Sequence, residues 1–127
     1  AKKCKSNSII FIQLISPTTS KIRVKKIIKD SHDMLYYISM LSTTGGKLKV
    51  TPNEILKNYR YIKKLNKKKN CVIGFGITEK TISSLKVADG LVVGSAICKE
   101  ITKSLNKNHN PVTNVRNIVN KLRKKIS

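Results

Sequence analysis

Four short apolar runs, each followed by a segment of helical periodicity, constrain this chain more than any other feature of its sequence. The runs are Ile9–Ile15, Met34–Ile38, Cys71–Phe75 and Gly90–Val93. They are mostly apolar without polar alternation, the pattern of strands buried on both faces. After the first, Pro17-Thr18-Thr19-Ser20 precedes Ile22, Val24, Ile27 and Ile28; a Thr or Ser there can accept the unpaired N–H groups of a first helical turn. After the second, Thr51 and Glu54 have capping-box spacing with Pro52 at the first helical position. Ile55, Tyr59, Ile62 and Leu65 then recur at helical spacing, and Lys63, Lys64, Lys67, Lys68 and Lys69 gather at the negative end of that helix. After the third run, Thr78 opens a shorter helix with Ile82 and Leu85. After the fourth, Gly94-Ser95 leads into a helix over Ala96–Leu105, and Asn106–Asn110 forms a turn. Pro111 then begins a last helix with Val112, Val115, Ile118, Val119, Leu122 and Ile126 on one face. Strict alternation of this kind predicts parallel strands joined by right-handed crossovers, an α/β fold with no internal domain boundary. The one long loop, between Ser39 and Val50, is rich in Thr and Gly; a loop of that length in a compact βα array is usually functional.

Charge raises the question of a nucleic-acid partner. The 127 residues carry 27 basic and 6 acidic side chains, a formal net charge of +21, and clustered cations displace counterions from phosphates. Only Arg23, Arg60, Arg116 and Arg123 are arginines, the better fork for phosphates and base edges; the other cations are lysine. The chain is also rich in Ile and Asn, so the excess falls on residues with A/T-rich codons. Compositional bias is the favoured account of the charge over a functional one, and nucleic acid is not the expected partner. Tyr59, Arg60, Tyr61, Lys63 and Lys64 offer the one hint of interleaved cations and aromatics, but Tyr59 falls on the apolar helical face.

Cys4, Cys71 and Cys98 are odd in number and far apart, and His32 and His109 stand alone. Neither disulfides nor a metal site is expected; free thiols fit a reducing cytoplasm. The apolar run Ser8–Ile15 is too short to span a bilayer, so no membrane association is expected. The chain lacks an initiator Met and starts with the Lys-rich Ala1–Lys5, which reads as a cut from something longer.

Acidic residues, the usual general acids and bases, are scarce. Asp30 and Asp33 flank a helix end, Glu54 belongs to a cap, and Glu79 lies in a first turn. Asp89 precedes a strand, and Glu100 is mid-helix. None ends a strand, where barrel chemistry occurs. Glycine clusters stand there instead: Gly74-Phe75-Gly76 after the third strand, Gly94-Ser95 after the fourth, and Thr44-Gly45-Gly46 beyond the second. A phosphate needs backbone N–H groups at close approach and a helix N-terminus, which is what such clusters provide. A dinucleotide fingerprint is excluded, because Glu79 stands where Gly74-Phe75-Gly76-Ile77-Thr78-Glu79 would need its third glycine. In (β/α)₈ TIM barrels the phosphate site is typically built from the loops after strands seven and eight. That rule numbers these four units five to eight and makes residues 1–127 the C-terminal half of a single barrel domain. Of Tyr36 and Tyr37, adjacent on the second strand, one should face the barrel interior and one the helix layer.

These clusters resemble the tryptophan synthase alpha chain family. The resemblance runs from about Ile9 to Ser104, through Ile15-Ser16-Pro17-Thr18-Thr19, Tyr36-Tyr37-Ile38-Ser39, Thr44-Gly45, Gly74-Phe75-Gly76-Ile77 and Asp89 to Ile97. It implies a lyase that cleaves indole-3-glycerol phosphate to indole and glyceraldehyde 3-phosphate in tryptophan biosynthesis. It implies a phosphate cradle of Gly45, Gly76, Gly94 and Ser95, with Gly74 close by, and substrate contact by Tyr36 and Phe75. It also implies that Thr44 supports a catalytic aspartate which, like the family's glutamate, lies outside this segment. The alpha chain takes no cofactor; pyridoxal phosphate belongs to the beta chain with which it forms a heterotetramer. The family usually has Arg where this chain has Met40 and Gly where it has Ser42. The other readings open to the sequence are a different phosphate-binding barrel, such as an indole-glycerol-phosphate synthase or a histidine-pathway isomerase, and a basic nucleic-acid-binding module.

Overall fold

The computed structural model describes residues 2–39 and 50–127. In chain order the elements are α1 (Lys2–Ser6), β1 (Gln13–Ile15), α2 (Lys21–Asp30), β2 (Met34–Ile38), α3 (Pro52–Leu65), β3 (Asn70–Gly74), a 3₁₀ turn (Ile82–Leu85), β4 (Gly90–Val92), α4 (Ser95–Asn106) and α5 (Pro111–Lys124). The four strands form one sheet in the order β1-β2-β3-β4, parallel throughout. Strands laid down in sequence order without reversal are wound in one direction, as in a barrel; a doubly wound sheet reverses at a switch point.

Helix starts follow the local chemistry of the sequence. Ser20 caps α2 by accepting the Arg23 N–H. Thr51 and Glu54 form a reciprocal capping box at α3, with the Thr51 N–H 2.8 Å from Glu54 Oε2. Asn110 caps α5 ahead of Pro111. Two boundaries differ from expectation. Lys67, Lys68 and Lys69 lie beyond α3, where Asn66 ends the helix. The segment after Thr78 makes only a single 3₁₀ turn, Ile82–Leu85, and Thr81, the residue before it, gives it no side-chain cap.

The first strand is also shorter than its apolar run. Ile9, Ile10, Phe11 and Ile12 lie outside β1 and are 37–62% exposed. Pairing begins at Gln13↔Leu35 and β2 itself starts at Met34, so Ile9, Ile10 and Phe11 have no residue of β2 opposite them.

The core occupies one side of the sheet. Ile15, Leu35, Tyr37, Cys71 and Ile73 point toward the helices and are buried against Val24, Ile27 and Ile28 of α2 and Ile55, Tyr59 and Ile62 of α3. Residues one position along each strand point the other way. The register aligns Leu14, Tyr36, Val72 and Gly90 in one row, and Ile38, Gly74 and Val92 in the next. Leu14 is 56% and Val92 39% exposed. The expectation of burial on both faces therefore holds for the helix side only: the opposite face is apolar in sequence but has no second layer over it among the described residues. The last helix is likewise half covered, with Leu122 buried and Val112 exposed. Ser104 joins it to α4, donating to the Glu100 carbonyl at 2.7 Å and accepting from Asn114 Nδ2 at 2.9 Å.

The N-terminal edge of the sheet is tied by polar contacts. Asp89 accepts from Lys63 Nζ at 2.8 Å and from the Cys71 N–H at 2.7 Å. Lys69 Nζ reaches the Ile28 and Ser31 carbonyls, both at 2.6 Å, and closes the end of α2.

Candidate functional site

The C-terminal ends of β3 and β4 bring the expected glycine clusters side by side. Gly74 pairs with Val92, so Gly76 and Gly94 each stand two residues beyond the same rung of the ladder. Phe75 and Gly76 both adopt left-handed backbone conformations, with φ of 77° and 73°. For Gly76 that conformation is free of steric strain; for Phe75 it is unusual. The Phe75 side chain, carried on this turn, is 56% exposed.

Gly94 is the N-cap of α4 and Ser95 its first residue. No side chain caps this helix; the Ile97 and Cys98 N–H groups donate to the Gly94 carbonyl, which leaves the Ser95 and Ala96 N–H groups ahead of them for an acceptor from outside. A Cβ placed on Gly94 would meet nothing within 4 Å. Packing within the chain therefore does not require glycine here.

Gly74 is glycine for a different reason. The Tyr36 ring lies across it, and a Cβ at Gly74 would collide with the Tyr36 hydroxyl and outer ring atoms. Tyr36 and Gly74 are thus in contact on the open face. Tyr37 faces the helix layer, 1% exposed, and its hydroxyl accepts from Asn58 Nδ2 of α3 at 2.8 Å. Burial pushes the Tyr37 hydroxyl above its ordinary pKa, against the opposing effect of Asn58. The expected division of the tyrosine pair between the two faces holds.

Thr44 and Gly45, together with Met40 and Ser42, lie outside the described residues. The described part of the candidate site is therefore Tyr36, Gly74, Phe75, Gly76, Gly94 and Ser95. One contributor went unnoticed in the sequence. Ser39, just past β2, is fully buried, and its hydroxyl sits between the Gly74 and Phe75 carbonyls. A small polar residue ending an apolar strand was the available signal, since a buried hydroxyl must find a partner.

None of the six acids lies on the strands' open face. Asp89 is held at the opposite edge by Lys63 and Cys71. Glu54 serves the α3 cap, Glu79 pairs with Lys125 at 3.2 Å and Glu100 with Lys103 at 3.8 Å. Asp30 ends α2, and Asp33 precedes β2 beside His32. Tyr59, the aromatic that a nucleic-acid surface would need for stacking, is buried in the core. Among the described residues no helix is long and apolar enough to cross a membrane.

A parallel sheet wound in one direction, with its helices on one side and glycine-rich turns at its C-terminal edge, defines half of a (β/α)₈ barrel. The sequence matches the family described as tryptophan synthase alpha chain over residues 1–127, and the chain belongs to that family. The match extends past the Ile9–Ser104 region that carries the recognisable motifs. The chain is 76% identical over 127 residues to the tryptophan synthase alpha chain of Pelagibacter ubique strain HTCC1062, covering all of this chain and 48% of that protein. It is 37% identical over 107 residues to the alpha chain of Methanocaldococcus jannaschii, covering 83% and 37%. The crystal structure of tryptophan synthase subunit alpha from Legionella pneumophila str. Paris superposes with a TM-score of 0.78 at 27% identity, over 96% of this chain and 44% of that one. The subunit from Campylobacter jejuni gives 0.72 at 27%, over 95% and 46%. This chain thus spans less than half the length of the relatives it matches, as expected for units five to eight of a barrel.

Proposed function

We propose that residues 1–127 form the C-terminal, phosphate-gripping half of a single barrel domain, and that the protein containing them is a lyase of tryptophan biosynthesis. It cleaves indole-3-glycerol phosphate to indole and glyceraldehyde 3-phosphate. The observation that carries this reading is the pairing, on adjacent strand ends, of the left-handed Phe75–Gly76 turn with the uncapped, unobstructed start of α4 at Gly94-Ser95. Backbone N–H groups of such a turn and helix terminus hold a phosphate ester, with favourable charge–dipole interaction. Gly45 completes the cradle, Tyr36 and Phe75 contact the remainder of the substrate beside Gly74, and Thr44 supports the catalytic aspartate. The proton-moving carboxylates come from the other half of the barrel. The protein takes no cofactor of its own and passes indole to a pyridoxal-phosphate-bearing beta chain within a heterotetramer in the cytoplasm.

The test is indole release from indole-3-glycerol phosphate by the full-length protein, with inorganic phosphate as competitor. Gly76→Val places a β-branched side chain at positive φ in the cradle. KM and the phosphate inhibition constant should both rise at least about tenfold, the loss of one charge-assisted hydrogen bond. Unchanged values for both would overturn the assignment of the cradle. The isolated 127 residues should release no measurable indole, since removing even one general acid or base slows such a step by about 10²–10⁴. Turnover by that segment alone would overturn the division of labour.

A further inference from the structure

Ser39 has been given no role in binding so far, yet it touches two of the carbonyls on which the β3 exit turn depends. It is 0% exposed, one residue beyond β2. Its N–H donates to the Gly74 carbonyl at 2.9 Å. Its hydroxyl donates toward the same carbonyl at 2.8 Å and toward the Phe75 carbonyl at 2.6 Å. A hydroxyl has one proton to give, so the two oxygens share it.

The geometry of the peptide unit makes this contact consequential. The Gly74 carbonyl lies in the peptide plane before the Phe75 Cα, and the Phe75 carbonyl in the plane after it. Tethering both planes to one oxygen fixes their relative orientation, which is to say φ and ψ of Phe75. That residue needs fixing: its φ of 77° is disfavoured for a side chain with a Cβ, and its exposed ring has little packing to hold it. The second plane also contains the Gly76 N–H. In a planar trans peptide the N–H points opposite to the C=O. Drawing the Phe75 carbonyl inward to the buried Ser39 therefore turns the Gly76 N–H outward, toward the edge that faces the start of α4.

We propose that Ser39 is a positioning residue of the anion site: it sets the left-handed Phe75 backbone, and through it the aim of the Gly76 N–H and the posture of the Phe75 ring. The ligand side of this inference rests on the proposed function; the backbone side does not. In the full-length protein, Ser39→Ala should raise KM for indole-3-glycerol phosphate and the inhibition constant for inorganic phosphate together by roughly tenfold, with kcat within about threefold. Ser39→Thr, which keeps the hydroxyl, should restore both constants. A Ser39→Ala protein with a lowered melting temperature but unchanged KM and phosphate inhibition would overturn the proposal, because a purely structural serine moves stability alone. Should Ser39→Ala not fold, the unmodified protein decides: titration with inorganic phosphate must shift the Gly76 amide resonance, and an unmoved resonance refutes the aim assigned to it. A wild-type protein that neither releases indole nor binds phosphate would sink the functional reading instead. The φ of Phe75 in the variant's crystal structure then decides the backbone claim, which fails if Phe75 stays left-handed without the hydroxyl.

Discussion

The contact between Tyr36 and Gly74 can be tested as a coupling energy. Gly74 sits on β3 without a left-handed φ, so its backbone accepts alanine. In open space a Gly→Ala change there would stabilise the protein by about 0.4–1 kcal/mol through the unfolded chain. The obstacle is the Tyr36 side chain, whose hydroxyl and outer ring atoms occupy the place of the new methyl. Forcing a methyl into occupied space costs about 1–3 kcal/mol, so Gly74→Ala alone should destabilise by about 0–2.6 kcal/mol. Tyr36→Leu removes the atoms in conflict. In that background Gly74→Ala should become neutral or stabilising, giving a coupling of about 1–3 kcal/mol between the two sites. Urea denaturation of the full-length wild type, the two single variants and the double variant measures this, reading midpoints at unchanged slope. Additivity within about 0.5 kcal/mol would refute the claim that Tyr36 is the reason position 74 is glycine.

Asp89 gives a pH prediction. Partial burial works against its charge, but the Lys63 ammonium, the Cys71 N–H and the Tyr59 hydroxyl outweigh that and hold its pKa below the ordinary 3.8. A depressed folded-state pKa contributes stability above the unfolded value that is lost as pH falls through the folded one. Melting temperature should therefore fall more steeply below about pH 4 in the wild type than in Asp89→Asn; parallel curves would show the carboxylate to be immaterial. Burial first, and Asp89 second, push the Cys71 thiol up to about 12. An alkylating reagent at pH 8 should label exposed Cys98 and spare Cys71 until the chain unfolds, as peptide mass mapping would record. Thr51→Ala should destabilise by about 1 kcal/mol in thermal or urea melts, since it removes one arm of the α3 capping box.

What was legible in the sequence was what depends on periodicity and local chemistry. The middle strands β2 and β3 fall within a residue of their apolar runs, and the starts of α2, α3 and α5 follow from Ser20, Thr51 and Pro111. The extent of β1 was not legible, because Ile9–Ile12 have strand composition but pairing needs a neighbour that begins only at Met34. Nor was the fate of the segment after Thr78, where the apolar Ile82 and Leu85 are buried by one 3₁₀ turn rather than a helix. At the candidate site the glycines announced themselves, while Ser39 did not. Its importance lies in two carbonyls 35 and 36 residues away, a relation that only strand register creates.

The same register explains why an anion grip and a proton-transfer apparatus can reside in different halves of one barrel. Aiming a backbone N–H requires that its own peptide plane be fixed, and at the β3 exit neighbouring elements supply contacts that do so: Tyr36 of β2 lies over Gly74, Ser39 just past β2 holds the carbonyls on both sides of Phe75, and Gly74 pairs with Val92 of β4. The start of α4 is placed by the β3–β4 register, and its far end is tied to α5 by the Ser104–Asn114 link. These constraints are local to units six to eight. A carboxylate that moves protons must instead reach across the barrel mouth to the far end of the substrate. On the proposed reaction it has to come from strands opposite those holding the phosphate. The open face that carries Leu14, Tyr36, Val72 and Val92 is the apolar surface against which those opposing strands would set that distance. Substitutions at Leu14 or Val72 should then lower kcat by misplacing the carboxylates while leaving the inhibition constant for inorganic phosphate unchanged. A loss of phosphate affinity in step with kcat would mean that the grip, too, depends on the whole barrel.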